Sequence, residues 1–286
     1  MCRYFAQKET NHYTEDIIRK KIIAMLLVCV LAVSLLAGCG SSSKSDWDTI
    51  KDKGKMVIGM TIFEPMNYKT DGGELTGFET EFAKAVCEEL GVDADFQEIN
   101  WDNKEIELSS KKIDCIWNGM TITDERKENM SISDPYMQNK QVMVTKKENV
   151  EKFSTKDGVK GAKVTAEAGS AGEEVAKGDD FFKEAKYVPA DAQTKALMEV
   201  KANTSDIAIV DYVMSIGTLR EGSDYSDLAV IESKSFSPEE YGVAFRKDSD
   251  TTKKVNEAMQ KVADSGKLKE IADKYNLTDL LLLKSK

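Results

Sequence analysis

Ile113-Asp114-Cys115-Ile116-Trp117-Asn118-Gly119-Met120-Thr121-Ile122-Thr123-Asp124-Glu125-Arg126 is the stretch on which the fold of this chain turns. Ile113 to Trp117 is an apolar run of strand length, with Asp114 as its one charge, and reads as a buried strand. Side chains alternate along a strand, so Trp117 and Asn118 point to opposite sides, and which of them enters a cleft stays open. Gly119 lets the backbone approach another group closely. Arg126 follows in a polar stretch, where an isolated arginine is ordinarily a solvated charge. Its other use is a two-point grip on a carboxylate, which a lysine cannot match.

Strands and helices alternate on both sides of this stretch. Upstream, Met56–Met60 reads as a strand. Phe78, Phe82, Val86 and Leu90 recur at near-helical spacing with charges between them, and Gly91 marks the stop. A strand near 94–99 and a helix near 104–110 follow. Downstream, strands are expected near 141–145, 163–166, 187–188 and 207–210, with helices near 173–177, 192–201 and 213–219 between them. A strand at 241–245 and two helices, 252–264 and 268–275, close the chain. Such alternation implies parallel sheets covered on both faces.

The N-terminal forty residues belong to another category. Arg19-Lys20-Lys21 precedes a 15-residue run from Ile22 to Leu36, then Ala37-Gly38-Cys39 and Gly40-Ser41-Ser42-Ser43. The run is shorter than the roughly 18–20 apolar residues that span a bilayer, and its basic flank and small residues read as a secretory signal. Leu36-Ala37-Gly38-Cys39 resembles a bacterial lipobox, which implies a diacylated Cys39 at the mature N-terminus. The alternative is an uncleaved anchor with Cys39 an ordinary thiol. Residues 1–38 are thus assigned to a signal peptide with an N-terminal extension, and 39–46 to a lipidated cysteine and tether.

The whole chain has 286 residues and a net charge of −10. Residues 1–38 carry five basic and three acidic side chains, so the mature chain is more negative still. That charge repels phosphate backbones, and no nucleic-acid partner is expected. The single histidine, His12, lies in the leader. A mature protein without histidine lacks the commonest general base and metal ligand, which argues against Ser-His-Asp hydrolases, Cys-His proteases and most zinc enzymes. No cofactor, no metal and no catalytic residue is expected. Cys87 and Cys115 have no CxxC neighbour and read as buried small apolar residues.

Five segments, in order, resemble the periplasmic and surface amino-acid-binding proteins, solute-binding protein family 3 of ABC importers. They are Phe63-Glu64-Pro65-Met66-Asn67-Tyr68, the Leu75–Ala85 helix start, the Ile113–Arg126 stretch with Ser131–Tyr136 behind it, Gly161–Glu174, and Ser205–Asp211. With Tyr241–Lys247 the resemblance spans about residues 47–277. It implies a two-lobed α/β fold, the type II periplasmic-binding-protein architecture, with ligand held in the inter-lobe cleft. Lobe one would be 47–137 plus 238–286, and lobe two 138–237 with the crossover segments. Ligands of open α/β sheets bind beyond the carboxyl ends of strands, which agrees with this placement.

The resemblance also implies a site. Arg126 would grip the α-carboxylate, with Thr121 beside it and the Gly119 carbonyl accepting from the α-ammonium. Asp211 would pair with the ammonium, helix N-capping being its competing role. Gly169, Ser170 and Ala171 open a helix whose free N–H groups face the carboxylate. The family's usual Thr is Ala171 here, so only backbone carries over at that position. Phe63 and Trp101 would wall the ligand side chain, core packing being the alternative for both. Glu64 and Glu167 stay open as partners of a cationic side chain.

The expected function is therefore a lipid-anchored extracytoplasmic receptor, a monomer and not an enzyme, that delivers a polar L-amino acid to an ABC permease and its ATPase. Two other readings are a cyclohexadienyl-dehydratase-like enzyme on the same fold and a sensory amino-acid-binding module.

Overall fold

The computed structural model describes residues 44–286; the expected signal peptide and Cys39 lie outside the described residues. Helix α1 (Asp46–Lys53) leads into β1 (Lys55–Met60), the short strands β2 (Tyr68–Lys69) and β3 (Leu75–Thr76), α2 (Phe78–Leu90), β4 (Asp93–Glu98), α3 (Lys104–Ser109), β5 (Cys115–Ile116), α4 (Asp124–Asn129) and β6 (Met130–Ile132). The ten-residue strand β7 (Met137–Lys146) then carries the chain across. Lobe two follows as α5 (Val150–Phe153), α6 (Lys156–Val159), β8 (Lys163–Glu167), α7 (Ala171–Gly178), β9 (Lys186–Ala190), α8 (Gln193–Lys201), β10 (Ile207–Asp211), α9 (Tyr212–Thr218) and β11 (Leu228–Val230). Strand β12 (Pro238–Tyr241) returns to β13 (Ala244–Arg246), α10 (Thr251–Asp264) and α11 (Lys267–Lys274).

Helix α2 shows how the pattern becomes structure. Phe78, Phe82 and Val86 lie on one face and are fully buried. Each such burial contributes about 1.5–3 kcal/mol. The helix stops where predicted, because Gly91 adopts φ 71° and its N–H closes on the Cys87 and Glu88 carbonyls. Cys87 and Cys115 are buried free thiols, as expected.

Two sheets form, in the orders β4-β1-β5-β13-β6 and β11-β7-β10-β8-β9. They are mixed rather than parallel, which corrects the sequence expectation. β1 pairs in parallel with β4 and β5, and β8 with β9 and β10. β13 runs antiparallel to β5 and β6, and β7 antiparallel to β10 and β11. The reversed strands are those adjoining the crossings, whose direction is set by the passage between lobes and not by a βαβ turn. The expected strand at 241–245 is likewise two strands, β12 in the crossing and β13 in lobe one. β7 and β12 pair antiparallel, with Asn139 opposite Glu239, so both crossings form one two-stranded ribbon.

The parallel strands point their carboxyl ends at the junction of the lobes. β1 leads to Thr61, β4 to Trp101 and β5 to Gly119, while β8 ends in Glu167 and β10 in Asp211. Thr61, Trp101, Glu167 and Asp211 are all buried, although they stand at or beyond strand ends.

Candidate ligand-binding site

Beyond β5 the chain turns through Gly119, whose φ is +57°. A Cβ there would stand 2.6 Å from Cε1 of Phe63, so both conformation and space call for glycine. The turn is held from below. The Gly119 N–H donates to Oε1 of Glu79 (2.8 Å), which also accepts from the Tyr136 hydroxyl. Burial pushes the Glu79 carboxyl up to about 7 despite those donors.

The turn separates its neighbours. Trp117 packs into the core of lobe one, edge-on to Phe82 at 5.3 Å. Asn118 faces the cleft side, where its amide is bound to Thr61: Oδ1 accepts from the Thr61 N–H and hydroxyl, and Nδ2 donates to the Thr61 carbonyl. Thr123 caps α4 by accepting from the Arg126 N–H. This places the Arg126 side chain inward, buried, with Nη1 donating to the Thr121 carbonyl (2.8 Å).

Lobe two supplies the facing half. Ser170 caps α7 by accepting from the Glu173 N–H, and Glu173 in return accepts from the Gly169 N–H, close to a capping box. Asp211 stands at the N-cap position of α9, but its side chain makes no capping bond. It accepts instead from Asn139 (2.6 Å), Gln141 (2.7 Å) and Gln193. Asn139 and Gln141 donate in addition to Oε2 of Glu239, at 3.1 and 3.0 Å, and Thr121 donates to the same oxygen. Two carboxylates thus share two amide donors. Burial raises the Asp211 pKa against those hydrogen bonds. Burial and the Asp211 charge push Glu239 up to about 7.

The lobes touch around this site. Lys104 Nζ donates to the Gly169 carbonyl at 2.8 Å, and Arg126 reaches the same carbonyl and Glu174. On another side, Glu64 pairs with Arg220 at 3.2 Å, and Pro65 packs against Gly217. Between these contacts lies a tight cavity of about 10 Å³, closed down by the meeting of the lobes. Seven of the nine residues expected from sequence line it: Trp101, Gly119, Thr121, Arg126, Ser170, Ala171 and Asp211. Phe63 stands behind Gly119, and Gly169 presents its carbonyl to Lys104 and Arg126; neither is among the lining residues. Of the four residues left open, Asn118 and Glu167 line the cavity, while Trp117 is core and Glu64 belongs to the rim pair.

Sequence reasoning missed Gln193, Asn139, Gln141 and Glu239, along with the support from Glu79. A glutamine opening α8 carries no signal of its own. The amides of β7 could have been found only as polar residues in an otherwise buried strand. Among the described residues no group of His, Cys, Asp and Glu is arranged to hold a metal.

Two mixed α/β sheets joined by a two-stranded ribbon, with a charged cavity at their strand ends, define a two-lobed solute-binding protein. Residues 56–278 match the model of the bacterial extracellular solute-binding proteins, family 3, and the chain belongs to that family. It is 31% identical over 254 residues to the L-cystine-binding protein TcyJ of Escherichia coli (strain K12), covering 87% of this chain and 94% of that one. It is 31% identical over 256 residues to the arginine-binding extracellular protein ArtP of Bacillus subtilis (strain 168), covering 88% and 96%. Among solved structures, an ABC uptake transporter substrate-binding protein from Streptococcus pneumoniae with bound histidine superposes with a TM-score of 0.75 at 33% identity, covering 84% of this chain and all of that one.

Proposed function

We propose that this protein is an extracytoplasmic receptor that captures a polar L-amino acid between its lobes and delivers it to an ABC permease. The observation that carries this reading is the pairing of opposite fixed charges across one closed cavity, Arg126 from lobe one and Asp211 from lobe two. A zwitterion satisfies both at once, in surroundings where an unpaired charge is costly and charge-assisted hydrogen bonds are strong. Arg126 and the first N–H groups of α7, at Ala171 and Gly172, take the α-carboxylate, with Ser170 and Gly169 shaping that turn. Asp211 and the Gly119 carbonyl take the ammonium, and Thr121 stands between the two groups. Trp101 walls the side chain, and Phe63 backs the Gly119 turn. Both charges engage only when the lobes meet, so closure reports occupancy to the transporter. No bond is made or broken.

The lobe limits belong to the same proposal: 47–137 with 238–286 for lobe one, and 138–237 for lobe two with its crossovers. A leader of 1–38 and a diacylated Cys39 on a tether to residue 46 would hold a monomeric receptor at the outer face of the cell membrane. Replacing Cys39 by Ser should move the protein from the membrane fraction to the medium.

The decisive experiment is a thermal-shift screen of the purified protein, refolded to strip carried-over ligand, against the twenty L-amino acids plus cystine and ornithine. Ligand at 100 times its Kd stabilises the native state by about 2.7 kcal/mol, well within detection. A selective hit abolished by Arg126→Ala supports the receptor. A folded protein that responds to none of them refutes amino-acid capture.

A further inference from the structure

Four acidic side chains stand at or beneath the cleft: Glu79, Asp211 and Glu167, which are buried, and Glu239, which is half-buried. The protein provides donors for three of them. Glu79 has the Gly119 N–H and the Tyr136 hydroxyl, Asp211 has three side-chain amides, and Glu239 has two of those amides and the Thr121 hydroxyl. Glu167, the last residue of β8, is only 3% exposed and lines the cavity, yet its Oε1 has no hydrogen-bond partner. The nearby cation, Lys104, is committed elsewhere: its Nζ donates to the Gly169 carbonyl at 2.8 Å and to the Trp101 carbonyl at 3.4 Å. A buried carboxyl oxygen without a donor is costly, and here it belongs to a residue that lines the ligand cavity.

The charges lining the cavity lead to the same place. Among its lining residues Arg126 is the cation, and Glu167 and Asp211 are the acids. Once a zwitterion has matched Arg126 and Asp211, Glu167 is the acid left over, and Lys104, the other cation near it, gives it no hydrogen bond. We infer that Glu167 is the selector for the ligand's side chain, and that the solute is an L-amino acid whose side chain ends in a cation. This deepens the amino-acid reading above and rests on it. Trp101 lines the same cavity and offers a flat aromatic wall, which favours a delocalised cation. An acidic side chain would place a second carboxylate beside Glu167 and is excluded by repulsion. A neutral amide would offer Glu167 a hydrogen bond but no charge to hold it ionised.

Titration calorimetry with L-arginine, L-lysine, L-citrulline and L-glutamine tests this, citrulline being close to arginine in shape but uncharged. Arginine or lysine should bind about 30-fold more tightly than citrulline or glutamine, the range expected for a charge-assisted hydrogen bond. E167Q, shown by circular dichroism to be folded, should collapse that ratio to about threefold or less. Equal affinity for arginine and citrulline, or a ratio that survives E167Q, overturns the inference while leaving the receptor standing. If no amino acid binds, the receptor reading falls and the inference with it.

Discussion

The two walls of the cavity are built differently. Apart from Trp101, lobe one makes its wall from one contiguous stretch, Asn118 to Arg126, in which a glycine turn, a capped helix start and an arginine lie within nine residues. Lobe two and the crossing ribbon make theirs from residues remote in sequence: Asn139, Gln141, Gln193, Asp211 and Glu239 meet in one hydrogen-bonded network. The first wall is shaped by local backbone geometry and anchored by one buried acid, Glu79. The second is an electrostatic arrangement that exists only when four segments are docked. In the proposed binding mode the arginine's share of carboxylate capture is therefore a local property of this chain, and ammonium capture by Asp211 a property of its tertiary fold.

That contrast can be broken most severely at Arg126. Arg126→Ala should weaken amino-acid binding by about 100-fold or more, since two charge-assisted bonds are lost, and Arg126→Lys should recover little because a point charge cannot replace the fork; calorimetry reads both. Asp211→Asn should weaken binding by about 30-fold, somewhat less, because the facing amides and Glu239 persist. Equal or inverted effects of the two substitutions would refute the division of labour between the walls.

Gly119→Ala probes the local wall through stability. The added Cβ meets the Phe63 ring at a positive φ, and urea unfolding should show a loss of about 2 kcal/mol.

The acids allow a comparison by pH. In the folded, ligand-free protein Glu79 and Glu239 are pushed up to about 7 and Glu167 to about 8, against an ordinary 4.5. Burial is the first cause for each. The Asp211 charge adds to all three, while Lys104 opposes the shift at Glu167. The native state then holds protons that the unfolded chain has released, so this contribution is complete below about pH 4.5 and is lost as pH rises through 7 to 8. The urea midpoint should fall between pH 5 and pH 8. Glu167→Gln should flatten the upper part of that slope, leaving the part owed to Glu79 and Glu239.

The smallest effect is expected at the rim. Arg220 is largely exposed in its pair with Glu64, so Arg220→Ala should change affinity and stability by less than about 0.5 kcal/mol. A larger loss would show that closure depends on the rim as well as on the buried charges.

The legibility of the molecule follows the same division. The hydrophobic spacing of Phe78, Phe82 and Val86 and the stop at Gly91 were readable because helix period and glycine conformation are local. So was the cluster around Gly119 and Arg126. The antiparallel insertion of β13 was not, because strand direction depends on where the chain re-enters a lobe. Alternation required Trp117 and Asn118 to face opposite ways without saying which way; the aromatic packing of Phe82 and Tyr136 decided it. Asp211 illustrates the limit most clearly. Its place before a helix allowed capping, and only the arrival of Asn139, Gln141 and Gln193 assigns its oxygens to the network instead.

By itself, then, the sequence determined the alternating elements, the positions of the turns, the absence of histidine after residue 12 and the stretch bearing Arg126. Each follows from short-range sterics, hydrophobic period or composition. The tertiary structure alone decided the mixed sheets, the partners of Asp211 and the isolation of Glu167. Burial and hydrogen-bond satisfaction arise from contacts between segments a hundred residues or more apart, and no local pattern encodes which distant donor will arrive and which acid will be left without one.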